Sequence, residues 1–267
     1  MKRFLVYPMT RVIAVTGGKG GVGKTTVTAN LGAALNEFGQ RTLVIDTNLT
    51  TPNLGFHLGV PLYPKTLHDV LRGEADVDEA MYVHPSGLKV IPAGISMSDL
   101  KNTKPDKLQK AVADAADGHD VVFLDCAAGL GREAVAGLKA ADELLIVTNP
   151  QLPAVTDALK TIKLAEELGV GITGVVLNRV RGHSSELSSA DIESLLGHPI
   201  IASIPEDNTV HDSLAAKTPI TAYAPSSKSA VEMKRLAAKI GGIEWQPPTK
   251  GGPAMSIFER IFSFLKI

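Results

Sequence analysis

The chain has a single cysteine among its 267 residues, Cys126. One thiol excludes an internal disulfide framework and any metal cluster built from several thiolates of one chain, and it suits a reducing compartment. No stretch approaches the roughly 20 apolar residues needed to cross a bilayer, so any membrane contact is expected to be peripheral. At the start, Lys2-Arg3 before Phe4-Leu5-Val6-Tyr7 has the outline of a signal peptide, but Pro8 and Thr10-Arg11 cut the apolar run short. Met9 is an alternative start. An excess of one charge is also missing: 27 lysines and arginines face 28 aspartates and glutamates. Overall charge therefore gives no electrostatic reason to expect a nucleic-acid coat.

What the chain does have is 44% hydrophobic residues, enough for a sizeable core in one α/β domain. Its most informative stretch is Gly18-Lys19-Gly20-Gly21-Val22-Gly23-Lys24-Thr25-Thr26, between the apolar run Arg11–Thr16 and a helical pattern from Lys24 to Phe38. The spacing satisfies G-x-x-x-x-G-K-[ST], the P-loop, in which glycines let successive backbone N–H groups converge on an anion. The N-terminal end of the following helix adds partial positive charge at the same place. Lys24 is expected to reach the β- and γ-phosphates, Thr25 to ligate Mg²⁺ directly, and Thr26 to bond the α-phosphate. A nucleotide with magnesium is the ligand implied.

Two apolar runs end in an acid. Thr42–Ile45 delivers Asp46, and Val121-Val122-Phe123-Leu124 delivers Asp125. Both read as buried parallel strands whose carboxyl ends form the ligand edge of an open sheet. Asp125 has the setting of a Walker B acid, and both carboxylates are expected to hold Mg²⁺ through water. Further strands are expected at Leu88–Ile91, Glu143–Thr148, Gly174–Asn178 and Ile200–Pro205. Helices are expected at Leu67–Arg72, Val155–Leu168, from Glu206-Asp207 to about Ala216, and at Val231–Ile240. Asp76, Asp78 and Glu79 read as a solvated helix start, since no histidine pairs with them at ligand spacing. Cys126 has no histidine or triad pattern to make it a nucleophile.

Lys19, a second lysine inside the loop, makes the stretch resemble the deviant Walker A motif of the MinD/ParA family of ATPases. The resemblance continues through Asp46-Thr47-Asn48 to Asn53-Leu54, like that family's switch I, and Asp125-Cys126-Ala127-Ala128-Gly129-Leu130 to Glu133, like its switch II. It extends to Val147-Thr148-Asn149-Pro150, Asn178-Arg179 and Pro205-Glu206-Asp207. It implies a doubly wound, mostly parallel sheet of P-loop type, ATP as the nucleotide, and an ATP-dependent homodimer in which Lys19 reaches the partner's nucleotide. It also implies a backbone amide of Gly129 near the γ-phosphate, adenine contacts from Asn178 and Arg179, and closure of the Pro205-Glu206-Asp207 loop over the base. Asn48 departs from the family's D-x-D. An amide can hydrogen-bond the attacking water but cannot act as a carboxylate base, so slow hydrolysis is expected. Catalysis is therefore assigned to Lys19, Lys24 and Asn48, with Asn48 alternatively a turn residue.

Residues 245–255 change character into a Pro/Gly-rich linker expected neither to join a helix nor to pack a core. From Ser256 to Ile267, with Ser256 and Glu259 as a capping box, Ile257, Phe258, Ile261, Phe262, Phe264 and Leu265 share an arc of roughly 160° on a helical wheel. Such an amphipathic segment suits a lipid interface, with Arg260 and Lys266 attracted to anionic lipid, and the family's MinD branch carries a similar helix. The expected organisation is an ATPase domain over 1–244, a linker over 245–255 and a membrane-targeting helix over 256–267, in a cytoplasmic protein peripheral on the inner face of the membrane. The expected function is a dimerising membrane ATPase of spatial positioning, such as division-site placement, with a protein regulator or cargo. The alternatives are a nucleotide-gated membrane scaffold with little hydrolysis and a ParA-like DNA-partitioning ATPase. An iron–sulfur carrier is disfavoured because paired cysteines are missing.

Overall fold

The computed structural model describes residues 10–59, 63–96, 98–99 and 103–247. In chain order the strands and helices are β1 (Arg11–Thr16), α1 (Lys24–Glu37), β2 (Thr42–Asp46), α2 (Leu54–His57), α3 (Leu67–Arg72), β3 (Tyr82–Val83), β4 (Lys89–Ile91), α4 (Leu108–Ala116) and β5 (Val121–Asp125). They continue as α5 (Arg132–Lys139), β6 (Glu143–Thr148), α6 (Leu152–Glu167), β7 (Gly171–Val180), α7 (Ser189–Leu196), β8 (Ile200–Pro205), α8 (Thr209–Ala215), α9 (Ile220–Tyr223) and α10 (Lys228–Gly241). Among the described residues the strands form one sheet in the order β3-β4-β2-β5-β1-β6-β7-β8. All pairings are parallel except the short β3–β4 edge.

The central strands are apolar along their interiors because helices cover both faces. Alternation then sorts their side chains between two cores. On β1, Val12 and Ala14 join the core under α3–α7, while Ile13 and Val15 join the one under α1 and α10. Val122 and Leu124 against Phe123, and Leu144 and Ile146 against Leu145 and Val147, repeat the split. Helix α1 is buried from Thr26 through Leu35, which explains its Ala- and Gly-rich face against the sheet.

Most expected elements are present, with shifted ends. Helix α6 begins at Leu152 rather than Val155, because Pro153 in its first turn needs no N–H partner there. Strand β7 runs from Gly171 to Val180, longer than Gly174–Asn178 at both ends, with register shifts that let it follow both neighbours. Helix α10 starts at Lys228, where the Ser227 hydroxyl accepts from the Ala230 N–H. Asp78–Ala80 is a single 3₁₀ turn. At the expected linker boundary, Trp245 packs on Phe38, with ring centroids 6.1 Å apart. The apolar tail residues Ile257, Phe258, Ile261, Phe262, Phe264 and Leu265 lie outside the described residues.

Candidate functional site

Strands β1, β2, β5, β6, β7 and β8 all point their carboxyl ends to one edge, and the loops leaving them meet around Gly18–Thr26. Two glycines of that loop, Gly18 and Gly23, answer to packing. A Cβ on Gly18 would lie 2.1 Å from the backbone carbon of Asp157 in α6, and one on Gly23, where φ is 97°, would lie 2.2 Å from the Asn178 amide nitrogen. The loop is thus clamped between α6 and the end of β7, leaving Lys19, Gly20 and Gly21 exposed and Val22 buried.

Below the loop, Asp46 and Asp125 are register partners across β2 and β5, and both are fully buried. Asp46 accepts backbone N–H bonds from Asn48, Asn53 and Leu54 at 3.0–3.1 Å. Burial nevertheless raises its carboxyl well above the ordinary range, helped by the negative charge of Asp125. Neither oxygen of Asp125 has a well-formed hydrogen bond. Burial pushes its carboxyl up to about 6, opposed by the nearby Thr25 hydroxyl and Lys24 ammonium. Lys24 is in turn lowered by its own burial, with Asp125 opposing. Two buried carboxylates that repel each other, one with unpartnered oxygens, beside a threonine hydroxyl, form a hard-oxygen donor set that Mg²⁺ fits.

The residues expected at the base come together as well. Asn178, Arg179, Pro205, Glu206 and Asp207 line one narrow cavity with Thr26. Their roles are more structural than the sequence indicates. The Asn178 side chain donates to Val22 O at 2.8 Å, and the Asn178 backbone carbonyl accepts from Asn149 Nδ2 at 2.8 Å, so the residue first holds the P-loop, leaving one amide hydrogen and Oδ1 for a ligand. Asp207 accepts from the Thr209 N–H and the Ser229 hydroxyl, joining the starts of α8 and α10. Arg179 is exposed in left-handed backbone, φ 58°, an uncommon state for a side-chain-bearing residue that turns the chain out of the sheet. A cleft of about 290 Å³ beside the loop is lined by Lys19, Gly20, Gly21, Asn149, Arg179 and Glu206.

In the expected switch I, Asn48 donates from Nδ2 to Thr51 O at 2.7 Å and accepts at Oδ1 from the Thr51 hydroxyl at 3.1 Å. Both ends of the amide are used within the loop, as in the turn reading. Gly129 sits in left-handed backbone, φ 82°, in the loop leaving Asp125. Cys126 is buried, its thiol pushed up to about 12 by burial, and it receives the Thr47 hydroxyl at 3.4 Å. That is the environment of an inert packing thiol. Two contacts were not legible in the sequence: Glu133 of α5 receives both the backbone N–H and the hydroxyl of Thr50, and His57 Nε2 lies 3.3 Å from the Thr26 hydroxyl.

A mostly parallel sheet with a glycine-rich phosphate loop after its central strand β1, and acids ending the next two strands on one side, β5 and β2, defines a P-loop nucleotide-binding protein. The chain belongs to the CobQ/CobB/MinD/ParA nucleotide binding domain family, whose model matches residues 13–220. It is 39% identical over 246 residues to an uncharacterised ATP-binding protein of Methanocaldococcus jannaschii, covering 92% of this chain and 93% of that one. It is 34% identical over 244 residues to the septum site-determining protein MinD of Synechocystis, covering 88% and 90%. The solved MinD of Pyrococcus horikoshii, complexed with Mg-ADP, superposes with a TM-score of 0.84 at 34% identity, covering 87% of this chain and 96% of that one. ATP and Mg²⁺ fit this family. No helix of the described residues is long and apolar enough to cross a membrane.

Proposed function

We propose that this chain is a MinD-like ATPase that binds ATP with Mg²⁺, pairs with a second copy when it does so, and acts at a membrane surface. The observation that carries the reading is the buried pair Asp46 and Asp125 beside Lys24 and Thr25 under the P-loop. The backbone of Gly18–Thr26 cradles the phosphates, Lys24 neutralises charge on the β- and γ-phosphates, and Thr25 ligates the metal directly with Asp46 and Asp125 acting through water. Bound Mg²⁺ supplies Lewis-acid stabilisation of the transferring phosphoryl group. Gly129 offers its amide to the γ-phosphate, while Asn178, Arg179 and the Pro205-Glu206-Asp207 loop hold the adenine.

Lys19 is exposed at the rim, where it would reach a partner's nucleotide. Phe56 at 49%, Leu130 at 48% and Leu152 at 56% exposure lie on the elements around the same edge, as an apolar contact between two copies requires. The ATPase domain is assigned to 1–244 together with the Trp245 contact, and residues 256–267, which lie outside the described residues, are assigned as the membrane-targeting segment, so that dimerisation doubles a weak anchor. The biological role is spatial positioning, such as septum placement, in company with a protein regulator or cargo.

Phosphate release tests the enzyme reading: turnover above that of Lys24→Ala supports it, and turnover equal to that control with ATP binding intact overturns it. Co-sedimentation with anionic liposomes tests the anchor, and equal pelleting with and without residues 254–267 overturns it. A second reading, a nucleotide-gated scaffold that barely hydrolyses, is favoured by the engagement of both ends of the Asn48 amide within its loop. Faster turnover in Asn48→Asp than in the parent chain supports that reading.

A further inference from the structure

Helix α2 ends in a histidine that lies against the P-loop helix. His57 Nδ1 is 3.0 Å from the Asn53 carbonyl oxygen, and its Nε2 is 3.3 Å from Thr26 Oγ1. A carbonyl can only accept, so Nδ1 carries the hydrogen, and in the neutral ring Nε2 is a lone pair. The Thr26 hydroxyl then donates its only hydrogen to the ring and turns lone pairs toward the phosphate site. Phosphate oxygens bring no donor to meet them.

We infer that His57 is a positioning residue for nucleotide binding, its protonation deciding whether the Thr26 hydroxyl can donate to the α-phosphate, so that nucleotide affinity rises as pH falls. When the ring is protonated, Nε2–H donates to Thr26 Oγ1 and the hydroxyl hydrogen is released toward phosphate. The inference rests on the proposed phosphate role of Thr26. Burial lowers the ring below its ordinary range and the Asn53 carbonyl opposes this, so the ligand-free ring is neutral near pH 7. A bound phosphate adds negative charge beside the ring and raises it again. Binding therefore takes up a proton.

The other titratable or charged groups near this corner include Asp46, which accepts from the Asn53 and Leu54 N–H groups, Lys24 at the start of the helix that carries Thr26, Lys217 against Gly59, and Arg179, Glu206, Asp207 and His211 around the cavity that includes Thr26. Their titration, and that of the nucleotide itself, is shared by the parent chain and a His57 variant, so the difference between the two isolates the ring.

The test is calorimetric titration of Mg-ADP into the full chain, His57→Leu and His57→Gln, between about pH 5.5 and about pH 8, in two buffers of different ionisation heat. Across that range, the affinity of the parent chain is expected to rise about tenfold more than that of His57→Leu, the worth of one hydrogen bond to a charged group. Proton uptake in excess of the variant should accompany it. His57→Gln, whose amide can donate to Thr26 at every pH, is expected to lose the slope while keeping tight binding at high pH, and it carries the test if the leucine variant does not fold. Parallel slopes and equal proton uptake in all three chains overturn the inference and leave nucleotide binding standing. Absence of binding by the parent chain at every pH overturns both.

Discussion

Thr50 and Glu133 join the loop that follows Asp46 to the first turn of α5, the helix reached from Asp125. The Thr50 N–H donates to Glu133 Oε2 at 3.2 Å and its hydroxyl donates to Glu133 Oε1. The loop leaves β2 and α5 follows β5, so the two segments on either side of the carboxylate pair are held as one unit. Because the link is exposed, Glu133→Ala should cost no more than about 1 kcal/mol in global stability. Amide hydrogen exchange over residues 47–53 should accelerate. Unchanged exchange there would show that the loop is held by its own turn bonds.

The carboxylate pair predicts an inverted pH dependence. The folded value of Asp125 is raised to about 6, above the ordinary carboxylate range. Between the unfolded and folded values the native chain binds more protons, so stability contributed by this group falls as pH rises from about 4 to about 6. Asp46 shifts in the same direction. Without nucleotide, Asp125→Asn should be more stable than the parent near pH 7, by on the order of 2 kcal/mol or less, and the difference should vanish near pH 4. Denaturant melts at the two pH values check this. The same variant should lose the magnesium dependence of nucleotide binding.

Cys126 should be silent to reagents. With the thiol buried and pushed up to about 12, alkylation of the native chain should proceed only as fast as the domain opens. A labelling rate that follows reagent concentration in native buffer would contradict this.

Trp245, the single tryptophan, reports the end of the domain. Its contact with Phe38 should shift its emission to the red in Phe38→Ala. A chain ending at 244 should lose roughly 1 kcal/mol of stability relative to one ending at 247. Coincident unfolding curves for the two truncations would remove this packing role.

The features legible in the sequence were those built from neighbours. The Gly18–Thr26 loop is one continuous motif, and the strands ending at Asp46 and Asp125 are apolar runs whose parallel, doubly covered character follows from their lack of alternation. Helix ends moved by a few residues where a cap or an early proline ruled: Ser227 for α10 and Pro153 for α6.

Tertiary structure decided which partner each polar side chain took. Asn178 reads as a base contact from its motif, yet folding brings it against Val22, 156 positions earlier, where its amide fills the space a Cβ on Gly23 would need. Asn48 reads as a substituted water-orienting group, and the curl of its own loop engages both of its ends. His57 and Thr26, Thr50 and Glu133, and Trp245 and Phe38 meet only because helices and loops from separate strands return to one edge or one face. Short-range backbone geometry and hydrophobic pattern were enough to define the phosphate cradle and the sheet. Hydrogen-bond pairing depends on where a fold places donors and acceptors far apart in the chain, and that could be read only from the folded molecule.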